Sequence, residues 1–182
     1  MALLGLPFEI DPAGVEAPLP AEHSAPARVA MRLARAKAAD VAARRPGRLV
    51  VGADTIVVLG RRLLGKPADE EEARAMLRAL AGRAHRVVTG IALIDSRQAP
   101  ARIRIGAEST RVLFRALDER EIAAYVATGE PLDKAGAYAV QGFGSLLISG
   151  VYGDYPNVVG LPVARLVAML REAGVEVLGV GC

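Results

Sequence analysis

The run Arg48–Leu59 (RLVVGADTIVVL) constrains the fold more than any other part of the chain. It is nearly unbroken in apolar and β-branched residues, the mark of a strand covered on both faces. One carboxylate interrupts it, Asp54, between Ala53 and Thr55. A lone carboxylate buried in such a strand is costly unless it is paired, hydrogen-bonded or metal-bound. The competing reading is a strand end at which Gly52 bends the chain and Asp54 is merely solvated. Four apolar residues, Ile56 to Leu59, follow at once and weigh against it.

Helices and strands alternate around this run. Residues 1–25 read as irregular, since Pro7, Pro12, Pro18 and Pro20 break any helix. Residues 26–43 read as a helix with Val29, Leu33 and Val41 in one row, and Lys37 falls in that row. Residues 69–81 read as a second helix, opened by Asp69 and Glu72 and stopped by Gly82. Residues 85–95 and 107–115 read as strands. Asp118 and Glu121 start another helix that turns Ile122, Tyr125 and Val126 inward and ends at Gly129. Residues 146–152 suggest a further strand. Pro162 opens a last helix with the stripe Val163, Leu166, Val167 and Leu170, and Val175–Val180 suggests a closing strand. The pattern predicts an α/β fold with a mixed sheet flanked by helices. At 182 residues, 1–182 is expected to form a single domain.

Composition removes several function classes. The net charge is +3 and the arginines are scattered, whereas a nucleic-acid binder more often clusters them with aromatics. The one cysteine, Cys182, forbids an internal disulfide or a Cys-based zinc site and fits a reducing, cytoplasmic setting. No long apolar window suggests a membrane span. Of the 23 basic residues only three are lysines, Lys37, Lys66 and Lys134. In a chain that takes Arg for bulk charge, each Lys invites a functional question.

Lys66 projects from the rigid turn Gly65-Lys66-Pro67, with a solvated loop lysine as the competing reading. Lys37 sits in an apolar helix row, where the alternative is a side chain that snorkels along the core edge. The segment Glu130–Tyr138 is dense in polar and small residues, puts Asp133 beside Lys134, and leads to Gln141. Small residues let a ligand approach the backbone closely; a structured surface loop is the alternative. For His85, ligand contact and capping of a strand start are both open, and His23 reads as inert. A strand carboxylate, three lysines and an acidic N-terminal segment suit metal-assisted handling of phosphates.

The ordered set of motifs resembles the Maf-type nucleoside triphosphate pyrophosphatases. The matching pieces are Leu33-Ala34 with Lys37-Ala38, Gly52-Ala53-Asp54-Thr55, Gly65-Lys66-Pro67, Leu80–His85, Val88-Thr89-Gly90, Glu130–Tyr138, Gln141-Gly142, and Gly153-Asp154-Tyr155 leading to Asn157–Pro162. The resemblance implies two lobes around a cleft and hydrolysis of a nucleoside triphosphate to the monophosphate and pyrophosphate with a divalent cation, Mg²⁺ or Mn²⁺. It implies Asp54 as general base for the attacking water or as metal ligand, two roles the sequence does not separate. It implies Lys37, Lys66 and Lys134 as neutralisers of phosphate charge. Thr55 and Gln141 match the base-selecting positions of the branch that acts on dTTP and UTP, and Asp133 and His85 are further candidates for substrate contact. The branch acting on 7-methyl-GTP is the nearest rival. The resemblance further implies a role in clearing non-standard nucleotides, a link to arrest of cell division, and a homodimer; the composition leads us to expect no nucleic-acid or membrane partner.

Two departures accompany the resemblance. The family opens with a strand and a phosphate-gripping S-x-S-P-R-R loop, and Met1 begins after the position of that loop. The family also carries an acidic pair whose second member is a metal-ligand candidate; here Glu16 is followed by Ala17. Glu16 is the expected substitute ligand. The expectation is an active pyrophosphatase, against a non-catalytic nucleotide-binding remnant or a basic nucleic-acid binder.

Overall fold

The computed structural model describes residues 4–15, 18–19 and 25–178. The elements are α1 (Pro26–Arg44), β1 (Leu49–Leu59), β2 (Arg62–Leu64), α2 (Glu70–Leu80), β3 (Ala84–Asp95), β4 (Arg102–Phe114), α3 (Glu119–Val126), β5 (Ile148–Tyr152), α4 (Tyr155–Val159) and α5 (Val163–Glu172). Short 3-10 turns fill Glu130–Asp133, Ala135–Ala137 and Gly142–Leu147. The five strands form one sheet in the order β2-β1-β3-β4-β5.

The expected α/β class, a central sheet flanked by helices, is what the chain adopts. The sheet is not mixed, however: every pairing among the described residues is antiparallel. For two of the pairings the reason is local: a two-residue connection joins β1 to β2, and a six-residue link (96–101) joins β3 to β4, far too short for a parallel crossover. The hairpin strand β2 escaped the sequence pattern because it is only three residues long. Of the closing strand expected at Val175–Val180, the described part shows a single β-bridge residue, Val177, and no extended strand; residues 179–180 lie outside the described residues. Val177 also packs into the apolar cluster of α5, and Leu178 turns the chain with φ of 61°.

Helix starts follow their local chemistry. The Asp69 side chain accepts from the Glu72 amide and opens α2. Asp118 and Glu121 form a reciprocal capping box at α3, as their spacing predicts. Gly129 then stands in the left-handed region where that helix has ended.

Alternation along β1 and β3 sorts the core between two faces. Val50, Ile56, Val58, Val88, Ala92 and Ile94 lie under α1. On the other face Val57, Leu59 and Val87 pack with α2 and α3, whereas Ile91 and Leu93 pack with α5. Between these last two clusters runs a polar seam of Thr55, Thr89, Thr110 and Asn157. That seam divides the face into two apolar halves.

Helix α1 presses unusually close to the sheet. A Cβ at Gly52 would stand 2.5 Å from the Ala34 carbonyl oxygen, and one at Gly90 would stand 2.2 Å from that of Ala30. The small row Ala30, Ala34 and Ala38 meets these bare positions, and all three alanines are fully buried. Gly90 lies directly opposite Asp54 in the β1–β3 register. Close approach therefore brings the next turn of α1, with Lys37, against Asp54.

Candidate active site

Two clefts meet at Asp54. The larger, of about 700 Å³, is lined by Leu33, Lys37, Asp54, Thr55, Lys66 and Met76 among others. The smaller, of about 270 Å³, shares Lys37, Asp54, Thr55 and Lys66 and adds Asp133, Lys134, Tyr138 and Gln141. Strand β2 pairs with β1 only over Val57–Leu59, and no other described residue pairs with that edge at Asp54 or Thr55. Side chains from both faces of β1 therefore reach the same space around an open strand edge.

The Asp54 carboxylate is 15% exposed, and its Oδ1 accepts from the Lys37 ammonium. This settles the choice left open by the sequence between a solvated strand end and a paired carboxylate. Asp54 is mid-strand and paired. Among the described residues, none is shown to hydrogen-bond Oδ2.

The lysine loops are tied to one another. The Gly136 amide donates to the Gly65 carbonyl at 2.9 Å, which joins the Lys66 turn to the Lys134 segment. Gly136 has φ of 71°, and a Cβ there would meet the Val57 side chain at 2.8 Å, so the join requires glycine. Lys134 donates to Asp133 at 2.5 Å. That contact, with the Lys66 charge nearby, holds the Asp133 carboxyl below its ordinary value.

The Gln141 segment hangs on one carboxylate. Glu130 accepts from the Tyr125 hydroxyl at 2.9 Å, the Phe143 amide at 3.0 Å and the Gly144 amide at 2.9 Å. Burial, more than the nearby Glu130 charge, raises the Tyr125 phenol. Gln141 is exposed, and no described residue holds its side-chain amide.

Of the residues expected from sequence, Asp54, Lys37, Lys66, Lys134, Thr55, Gln141 and Asp133 all line the joined clefts. His85 does not. It is 3% exposed, its Nε2 lies 2.8 Å from the Tyr138 hydroxyl, and it packs edge-on against Phe114 and Tyr138. Burial pushes the imidazole down to about 4. Direct substrate contact by His85 is therefore corrected to a core role behind Tyr138, a residue that does line the smaller cleft. Glu16, His23 and Cys182 lie outside the described residues.

The donor set can be tested against a divalent cation. Among the described residues no group of three or more His, Cys, Asp or Glu is placed to form a closed cage. Mg²⁺ takes one or two carboxylates together with substrate phosphates, and the Asp54 carboxylate in a lysine-lined cleft fits that mode. Among the described residues, no helix is long and apolar enough to cross a membrane.

Sequence reasoning missed the parts of Glu130, Thr89, Asn157 and Tyr138. Asn157 had a usable signal, as the only asparagine in the chain. Thr89 is a fully buried polar residue within an apolar strand, as Asp54 nearly is, and invited the same question.

A family model described as "Maf-like protein" matches residues 1–173. A dTTP/UTP pyrophosphatase of Pelotomaculum thermopropionicum is 53% identical over 175 residues, covering 96% of this chain and 90% of the relative. One of Thermomicrobium roseum is 49% identical over 177 residues, covering 97% and 79%. One of Deinococcus radiodurans is 48% identical over 177 residues, covering 97% and 88%.

Proposed function

The chain belongs to the Maf family, and from that membership we infer that it hydrolyses dTTP and UTP to the nucleoside monophosphate and pyrophosphate. The observation that carries the reading is the junction at Asp54. A paired carboxylate stands among lysines, and Thr55 and Gln141 lie in the adjoining smaller cleft. We read residues 1–182 as one domain working in the cytoplasm, where the lone Cys182 stays reduced.

The triphosphate lies across the shared region, and Lys37, Lys66 and Lys134 face its oxygens as compact charges. Water attacks phosphorus, the bond to the leaving pyrophosphate oxygen breaks, and Asp54 Oδ2 takes the proton that the water gives up. Lys37 keeps the carboxylate in place and adds charge where it builds in the transition state. Membership of the family implies metal-assisted catalysis. A bound Mg²⁺ or Mn²⁺ would take Glu16 and the phosphate oxygens as ligands and would supply positive charge there, leaving Asp54 Oδ2 to the water. Thr55, Gln141 and Asp133 face the base and sugar end of the nucleotide.

Pyrophosphate release from dTTP, UTP and 7-methyl-GTP in the presence of Mg²⁺ tests the reading. Turnover of dTTP and UTP is the expected result. Turnover confined to 7-methyl-GTP would overturn the choice of substrate, and no turnover of any of the three would overturn the enzymatic reading.

A further inference from the structure

One ridge of α1 fastens the chain that precedes it. Arg32, Ala36, Asp40 and Arg44 recur every fourth residue and so share a row on that helix. Arg44 donates to the Asp11 carboxylate at 2.7 Å and to the Pro12 carbonyl at 3.0 Å, and Arg45 donates to the other Asp11 oxygen at 2.8 Å. Asp40 accepts from the Gly14 amide at 2.8 Å and from Arg44 at 3.1 Å. Nearer the start of the helix, Arg32 donates to the Pro18 carbonyl at 3.4 Å. The fastened chain thus passes α1 in the opposite direction, and Val15, Pro18 and Leu19 line the larger cleft beside Ala36 and Lys37.

Leu19 leads from this ridge to the turn that carries Lys66. It packs with Leu63 against the apolar cluster under α1, and an added Cβ at Gly65 would stand 3.1 Å from Leu19 Cδ1. The leucine methyl group therefore seats on the bare face of Gly65. On its other flank the same glycine accepts from the Gly136 amide through its carbonyl. Pro67, just past Lys66, is buried. The turn is thus gripped by Leu19, by Gly136 and by its own proline, and of these Leu19 is the one held by α1. The same helix carries Lys37, which holds Asp54. One rigid element therefore governs both the Lys37–Asp54 pair and the side chain that bears on the Lys66 turn.

We propose that Leu19 is a positioning residue for Lys66, with Arg32, Asp40 and Arg44 acting through it, so that the Lys66 ammonium keeps a fixed reach from Lys37 and Asp54. A lysine side chain is long and flexible, and a charge that stabilises a transition state loses much of its effect when displaced by about 1 Å. Fixing the backbone beneath it narrows where the ammonium can stand. The inference rests on the pyrophosphatase reading above and goes past it, by giving an apolar side chain and a helix ridge a part in placing phosphate-facing charge.

The test compares kcat/KM for UTP in the wild type, Leu19→Ala, Leu19→Met, Asp40→Ala and Asp40→Asn. Leu19→Ala should lower it about tenfold and Asp40→Ala about threefold, while Leu19→Met, which can still reach Gly65, and Asp40→Asn, which can still accept from Gly14, should stay within about twofold of wild type. Introduced into Lys66→Gln, Leu19→Ala should cost less than about twofold, because the group it positions is gone. Wild-type kcat/KM in a folded Leu19→Ala enzyme would overturn the proposal, and so would an equal loss in both backgrounds. A second arm needs no turnover. With three lysines in the chain, isotope-labelled reductive methylation gives few side-chain NMR signals, and Lys66→Arg identifies that of Lys66. The signal should shift in Leu19→Ala and Asp40→Ala and hold its place in Leu19→Met; an unmoved Lys66 signal in folded Leu19→Ala overturns the proposal. A wild type inactive on both dTTP and UTP overturns the pyrophosphatase reading alone, and the Lys66 signal still decides whether Leu19 positions the lysine.

Discussion

The Lys37 ammonium donates to the Asp54 carboxylate, which ties α1 to β1 at the point where the two clefts join. Lys37 comes from a helix and Asp54 from the open edge of a strand, seventeen residues away. The contact exists because two glycines let that helix lie almost on the sheet backbone. Chemistry at Asp54 and packing of α1 are thus parts of one arrangement, and the predictions below separate them.

Asp54→Asn keeps the shape and removes the basic oxygen. Pyrophosphate release should drop by about 10²–10⁴-fold. The thermal midpoint should stay close to wild type, because the new amide can still accept from Lys37 through its oxygen. Full activity in a folded variant would remove Asp54 from the chemistry.

Gly90→Ala places a methyl group 2.2 Å from the Ala30 carbonyl oxygen, where backbone rather than a flexible side chain stands in the way. Overpacking of this kind costs about 1–3 kcal/mol. Urea denaturation should register that loss. Activity should fall with it, since displacing α1 carries Lys37 away from Asp54. Unchanged stability would mean that α1 rides up without penalty.

Gln141→Glu replaces an amide that both donates and accepts with a group that only accepts. The profile across dTTP, UTP and CTP should change more than the rate with the best substrate, and an unchanged profile would argue against base contact by Gln141. Glu130→Ala supplies a comparison. It releases the Phe143 and Gly144 amides and the Tyr125 hydroxyl, so it should raise KM for every nucleotide without redirecting the choice among them.

His85 makes stability depend on pH. Burial lowers its imidazole from 6.5 to about 4. Between these values the unfolded chain holds the extra proton and the folded chain does not. The contribution is therefore complete above about 6.5 and is lost as pH falls through about 4, by roughly 3 kcal/mol in all. Urea midpoints taken across that window should decline. His85→Phe should flatten the decline, and an identical slope in that variant would count against the assignment.

What could be read from sequence was whatever broke a local pattern. Asp54 interrupted an apolar strand and Lys37 an apolar helix row, and both violations mark the site. Asp118 and Glu121 announced α3 by spacing alone. Other features were hidden for lack of a local sign. Thr89 meets the Asn157 carbonyl across 68 residues and Glu130 meets the Gly144 amide across 14, and no periodicity encodes such contacts. His85 misled because it ends a matching motif, Leu80–His85. Its neighbours in space, Phe114 and Tyr138, are distant in sequence and make its surroundings core. The apolar Val175–Val180 stretch looked like a strand because plugging a cluster and joining a sheet call for the same residues.

Pairing of β1 with β3 runs without a bulge from Leu49 opposite Asp95 to Val58 opposite Arg86. Asp54 and Thr55 are consecutive on β1 and so project to opposite faces. A slip of β1 by one residue that brought Thr55 to the place of Asp54 would turn the carboxylate to the opposite face of the sheet, away from Lys37. The same slip would bring Ala53 to the place of Gly52, and its methyl group into the backbone of α1. The bare positions under that helix thus favour one register in folding: the alignment that keeps Asp54 facing Lys37 is the one in which the helix seats without a clash.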